Sequence, residues 1–155
     1  ARHPSETDER MMVRLLAFAL HADDGLEFGR GLSTDDEPDI WRRDLTGAIA
    51  QWVEVGLPAE RELRKACGRA REVHVLAYGG RAVELWWQAV RDKLARQDQL
   101  GVSEVPTEAS RALAGLAARS MRLQITIQEG HVLVADGETS FPVESRMLKS
   151  WSNAR

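Results

Sequence analysis

Apolar residues recur along this chain at two spacings, and the switches between them mark out its elements. Met12, Val13, Leu16 and Leu20 form one stripe at helical spacing, which predicts a helix from Ser5 to about His21. Ser5 stands three residues ahead of Asp8, a capping-box pattern that makes Ser5 the expected N-cap. Leu26 to Leu32 alternates apolar with polar or glycine and reads as a strand. A second strand opens at Asp39-Ile40-Trp41, and Asp44 to Ala48 makes a polar turn. A third strand follows over Ile49 to Leu57, with Ile49, Val53, Val55 and Leu57 on one face and Trp52, Glu54 and Gly56 on the other.

Pro58 suits the first turn of a helix over about Ala59 to Ala70, whose inward stripe is Leu63, Ala66, Cys67 and Ala70. Val73 to Tyr78 is nearly continuous apolar, as in a central strand buried on both faces by parallel pairing. Strand, helix and strand in that order predict a right-handed crossover. Arg81 to about Gln97 reads as a second helix, Val102 to Val105 as a short strand and Thr107 to about Ser120 as a third helix. Three antiparallel strands close the chain: Leu123–Ile127, Val132–Val134 and Ser140–Val143. They either extend the main sheet or stand beside it as a ribbon. Lys149 to Arg155 is expected to be poorly ordered. The fold class is therefore α/β (α+β), a mixed central sheet flanked by helices, with a C-terminal antiparallel extension.

Composition narrows the function classes. A chain of 155 residues with 43% hydrophobic content fits one domain with a real core. Acidic residues outnumber basic ones, 24 to 21, for a formal charge of −3. That balance argues against non-specific nucleic-acid affinity from bulk charge and leaves room for a local basic patch. Cys67 is the single cysteine, so no internal disulfide forms and a reducing compartment is the default. No apolar run reaches the ~20 residues of a membrane span. There is no basic-then-apolar leader either, so the expected protein is soluble and cytoplasmic, with no membrane partner. Cys67, His74 and His131 all read as structural residues.

The candidate chemistry lies in the second and third strands. A hairpin symmetric about the Thr46–Gly47 bond sets Asp39 directly across from Glu54, on one face. Like charges there repel, and a divalent cation between them is the natural remedy, because hard cations take carboxylate oxygens. Glu9 sits at the N-terminal end of the first helix's apolar stripe. It is either a third acid of that site or a carboxylate favoured by the helix dipole.

The order helix, three strands, helix, strand, helix, with Glu in the first helix, Pro38-Asp39 at strand two and Glu54 in strand three, resembles the PD-(D/E)XK nuclease superfamily. More narrowly, the chain resembles the bacterial YaeQ family. The matching stretches are His3 to Met12, Gly31-Leu32, Asp36-Glu37-Pro38 and Trp52 to Pro58. Lys65-Ala66-Cys67, Trp86-Trp87 and Leu123 to Gln128 add to them.

The resemblance implies a metal-dependent phosphodiesterase acting on nucleic acid, DNA or RNA. Mg²⁺ or Mn²⁺ would be held by Asp39, Glu54 and Glu9. The superfamily places a lysine two residues after the strand-three acid, where this chain has Gly56. In some members that lysine sits in the next helix, which makes Lys65 the candidate. Helical projection turns Lys65 away from the inward stripe and leaves Arg64 on the flank, so Arg64 is the alternative. The resemblance also implies a β segment ahead of the first helix, which this sequence lacks; the expected unit is one nuclease-like domain over 1–155. The runner-up function is a catalytically inactive nucleic-acid-binding or transcription-related regulatory module of the same fold, and a purely structural domain is a third reading.

Overall fold

A computed structural model describes residues 6–29, 37–117 and 122–152. Ser5, Gly31-Leu32, Asp36 and Ser120 lie outside them. Helix α1 (Asp8–Leu20) is capped by Thr7, whose hydroxyl oxygen accepts the Arg10 N–H at 3.1 Å. Then come β1 (Leu26–Phe28), β2 (Ile40–Arg43), β3 (Ile49–Val55), α2 (Glu60–Arg69), β4 (Ala70–Ala77), α3 (Arg81–Leu94), β5 (Leu100–Glu104) and α4 (Thr107–Ala117). The tail comprises β6 (Gln124–Gln128), β7 (His131–Ala135), β8 (Ser140–Val143) and β9 (Arg146–Lys149).

Six strands form a mixed sheet in the order β1-β2-β3-β4-β5-β9. Strands β3, β4 and β5 run parallel, while β1, β2 and β9 add antiparallel edges. The apolar run in the central strand has the expected cause: β4 is covered on both faces. Val73, Val75 and Ala77 pack with Leu63, Ala66 and Cys67 of α2 and Val83, Val90 and Leu94 of α3. On the other face Leu76 joins Ile40, Val53 and Val55 under Val13 and Leu16 of α1 and Leu113 and Leu116 of α4. Two hydrophobic layers thus sandwich one sheet, each burying enough apolar area to hold its helices in place.

The C-terminal strands resolve the open choice in favour of a separate sheet, order β6-β7-β8. Its Val132, Val134 and Val143 extend the α1–α4 core. One expectation fails. Lys149 to Ser152 are held against the sheet, because β9 pairs with β5 and closes the edge that β5 would otherwise expose, while residues 153–155 lie outside the described ones. Lys149 donates to the Gln97 carbonyl at 2.8 Å, and the Ser152 N–H donates to the Asp98 carbonyl at 2.8 Å. Trp151 lies beside His74, ring centroids 6.2 Å apart. His74 meets the Glu72 carboxylate at 2.6 Å and lies tilted against His21 at the end of α1, with centroids 4.5 Å apart, which supports the structural reading of that histidine. No helix among the described residues is long and apolar enough to cross a membrane.

Removing residues 146–155 strips the cover from β5. The truncated chain is expected to melt at lower temperature and to self-associate through the bared strand, measured by thermal denaturation and size-exclusion chromatography.

Candidate functional site

The site is set by strand register. Ile40 pairs with Val53, Trp41 with Trp52 and Arg42 with Gln51, and one further step in that register places Asp39 across from Glu54. The inferred hairpin symmetry therefore holds through the body of the strands. Nearer the turn it slips by one residue at a bulge, so that Arg43 meets Ile49. The slip accommodates a turn closed by the Asp44 N–H to the Ala48 carbonyl at 2.8 Å, with Gly47 at φ +88°. Asp44 fastens that turn by accepting the backbone N–H of Thr46 at 2.8 Å and of Ala48 at 3.1 Å.

Asp39 and Glu54 both line a cleft of about 590 Å³ beside Val55, Gly56 and Tyr78, at the carboxyl ends of β3 and β4. Asp39 is buried, 4% exposed, and both its oxygens are engaged. Oδ2 accepts the Val55 N–H at 2.8 Å and Oδ1 accepts Nη2 of Arg10 at 2.7 Å. Glu54 is half-buried, and its Oε1 accepts the indole N–H of Trp52 at 3.0 Å. Burial, and next the negative charge of Asp39, push the Glu54 carboxyl up to about 8. The Trp52 hydrogen bond opposes this and is outweighed. At neutral pH Glu54 therefore keeps its proton, while the Asp39 carboxylate faces a guanidinium.

Arg10 reaches the pair from α1, and its other prong donates to Glu6 Oε2 at 2.8 Å. Glu6 is 3% exposed and accepts two further bonds from Arg14, at 3.0 and 2.8 Å. Burial alone would raise the Glu6 carboxyl, but hydrogen bonds and charge from Arg14, then from Arg10, hold it below the usual carboxylate range. Sequence reasoning passed over Glu6 and Arg10. Their signal was the spacing of Glu6, Arg10 and Arg14 at successive intervals of four, which stacks acid and base along one helix face.

The helical acid chosen from the sequence lies elsewhere. Glu9 accepts the Ser110 hydroxyl at 2.8 Å and is not among the residues lining the cleft. Glu9 lies on the α4 side of α1, whereas Arg10 turns towards the end of β2. Lys65 does line the cleft, together with Arg61 and Glu62 on the same face of α2. Arg64 does not; it is exposed and pairs with Glu60 one turn back. The cleft meets α2 along Arg61, Glu62, Lys65 and Ala66, so it opens on the Lys65 side of the inward stripe and not on the Arg64 side. Gly56 holds φ +104°, a left-handed backbone that a lysine would adopt only under strain.

Two carboxylates suit a cation that keeps most of its own water, as Mg²⁺ does, and not a closed cage of protein ligands. Among the described residues no group of three or more His, Cys, Asp or Glu side chains is placed to hold a metal ion. The Asp39–Glu54 pair offers carboxylate oxygens of the kind such a cation takes, and Glu9 is not among the residues beside it.

A raised carboxyl has a fixed signature in stability. The unfolded chain releases the Glu54 proton near 4.5 and the folded chain only near 8, so between those values the folded state binds more protons and stability falls as pH rises. The change Glu54→Gln is expected to leave the melting temperature nearly unchanged at pH 4 and to raise it at pH 9, which parallel thermal melts would check. Gly56→Lys is expected to cost about 1–3 kcal/mol in denaturant titrations, through backbone strain alone.

Comparison with known proteins places this geometry in a family. Residues 1–145 match the family model described as "YaeQ: YaeQ protein". An Escherichia coli (strain K12) relative, "Uncharacterized protein YaeQ", is 43% identical over 151 residues, 97% of this chain and 82% of that protein. The crystal structure of YaeQ protein from Xanthomonas axonopodis pv. citri superposes with a TM-score of 0.91 at 50% identity, covering 97% of this chain and 85% of that one. The YaeQ structure from Pseudomonas syringae gives 0.86 at 34% identity, covering 99% and 84%.

Proposed function

This chain belongs to the YaeQ family, and from that premise we propose that it is a metal-dependent phosphodiester hydrolase acting on nucleic acid, on a PD-(D/E)XK nuclease-like core. The observation that carries the proposal is the opposition of Asp39 and Glu54 on one sheet face, both opening into a cleft that Lys65 and Arg61 also line. Burial first, and the neighbouring Asp39 charge next, raise the Glu54 carboxyl, so this acid would ionise fully only with a cation beside it.

Asp39 and Glu54 would hold Mg²⁺ or Mn²⁺. Such an ion, when bound, polarises a phosphodiester and acidifies a water that serves as the nucleophile. The chain's own residues do the rest. The Val55 N–H fixes the aim of the Asp39 carboxylate. Trp52 fixes that of Glu54, and the Arg69 guanidinium lies 5.1 Å from the Trp52 ring centroid. Lys65 and Arg61 supply cations on the cleft wall, where they draw in a phosphate and offset charge in the transition state. These groups address phosphate and not bases, so cleavage is expected to depend little on sequence.

A second reading has its own support. Gly56 stands where a catalytic lysine is expected, in a backbone that disfavours one, and Asp39 is already paired with Arg10. Both features suit a module that binds nucleic acid without cutting it.

Calorimetry with Mn²⁺ at pH 7 is the test. Binding is expected with release of about one proton, read from buffers of different ionisation heat, because Glu54 must ionise to coordinate. Affinity should rise with pH and vanish in Asp39→Asn. Cleavage of single- and double-stranded DNA and RNA should require Mn²⁺ or Mg²⁺ and drop at least 100-fold in Glu54→Gln, the order of loss when one electrostatic partner of a reaction is removed. Metal binding without cleavage would leave the second reading, and absence of metal binding would remove the first.

A further inference from the structure

The Arg10 guanidinium holds Oδ1 of Asp39, an oxygen that a cation serving this carboxylate would use. We propose that Arg10 is a built-in counter-ion that a divalent cation displaces, so that this one side chain sets the affinity threshold of the site. The inference rests on the metal-dependent reading above and deepens it.

Three features of the geometry carry it. First, Asp39 offers its two oxygens to different partners: Oδ2 to the Val55 N–H and Oδ1 to Arg10. Only the second partner is a side chain, with rotamers of its own. The backbone bond can keep the carboxylate aimed while Oδ1 changes hands. Second, Arg10 has another seat. Its Nη1 already donates to Glu6 at 2.8 Å, so release from Asp39 leaves it paired with that carboxylate. Third, Glu6 does not depend on Arg10, because Arg14 donates to both of its oxygens. A guanidinium needed only to neutralise Glu6 would be redundant, and its reach to Asp39 would have no purpose. Arg10 also lines the cleft, so an incoming ion meets it directly.

A charge-assisted hydrogen bond of this kind carries enough free energy to set back a competing ligand by about 10- to 100-fold. The fork of an arginine, unlike an ammonium, spans two carboxylates at once. Exchange of Arg10 for Mg²⁺ at Asp39 is therefore a swap of one cation for another, with Glu6 receiving the displaced side chain.

The experiment is Mn²⁺ calorimetry on the intact chain and on Arg10→Met and Arg10→Lys. The proposal expects wild type to bind, Arg10→Met to bind at least tenfold more tightly, and Arg10→Lys, which keeps the charge and loses the fork, to fall between. A merely structural arginine would give the opposite sign, since its removal would loosen the site and weaken binding. Equal or weaker binding by a folded Arg10→Met, with wild type still binding, overturns this inference and leaves the function proposal standing. Failure of every variant and of wild type to bind overturns both. Should Arg10→Met not fold, Mg²⁺ titration of the wild-type chain with NMR of the arginine side chains decides. An Arg10 signal that moves with the calorimetric saturation supports displacement, and one that stays fixed while Mg²⁺ binds overturns it.

Discussion

Two carboxylates forced onto one face of a hairpin are the constraint around which this molecule is arranged. The β2–β3 register leaves no freedom: once Ile40 pairs with Val53, Asp39 and Glu54 are neighbours. Their repulsion is met in two ways at once. Glu54 keeps its proton, and Asp39 takes a guanidinium and a backbone N–H. Each remedy is local, and together they hold an acidic pair in a partly buried cleft.

The second remedy ties the first helix to the sheet. Arg10 joins Asp39 of the strand end to Glu6 of the chain leading into α1, and Arg14 holds Glu6 from the next turn. Arg14 is itself buried, with its guanidinium 5.0 Å from the ring centroid of Phe28 in β1, which stacks on Phe18 of α1. Polar and apolar contacts thus fix the same junction. Buried ion pairs of this kind add little net stability, because desolvation offsets attraction, yet breaking one by removing a partner is costly. Their value here is positional: they set where α1 lies relative to the carboxyl ends of β3 and β4, and hence the shape of the cleft.

The faces of the helices show why the site was only partly legible. On α1 the apolar stripe, with Glu9 at its head, turns to α4, and Glu9 meets Ser110 there. Arg10, with Glu6 of the chain leading into the helix, turns to the acidic pair. On α2 the face with Arg61 and Lys65 borders the cleft, while Arg64 points back along the helix to Glu60. Periodicity says which residues share a face. It does not say which neighbour that face will meet, because the neighbour is remote in sequence.

Local order therefore belonged to the sequence. The helices, the strands and the opposition of Asp39 to Glu54 follow from spacing and from a short turn, interactions among residues close along the chain. The tertiary structure decided the rest: that Arg10 and not Glu9 serves the acidic pair, that Lys65 reaches the cleft, that β6 to β8 form their own sheet, and that β9 returns to cover β5. These contacts join residues tens of positions apart. Their energy comes from burial and desolvation, which depend on the assembled surroundings and leave no periodic trace in any one segment.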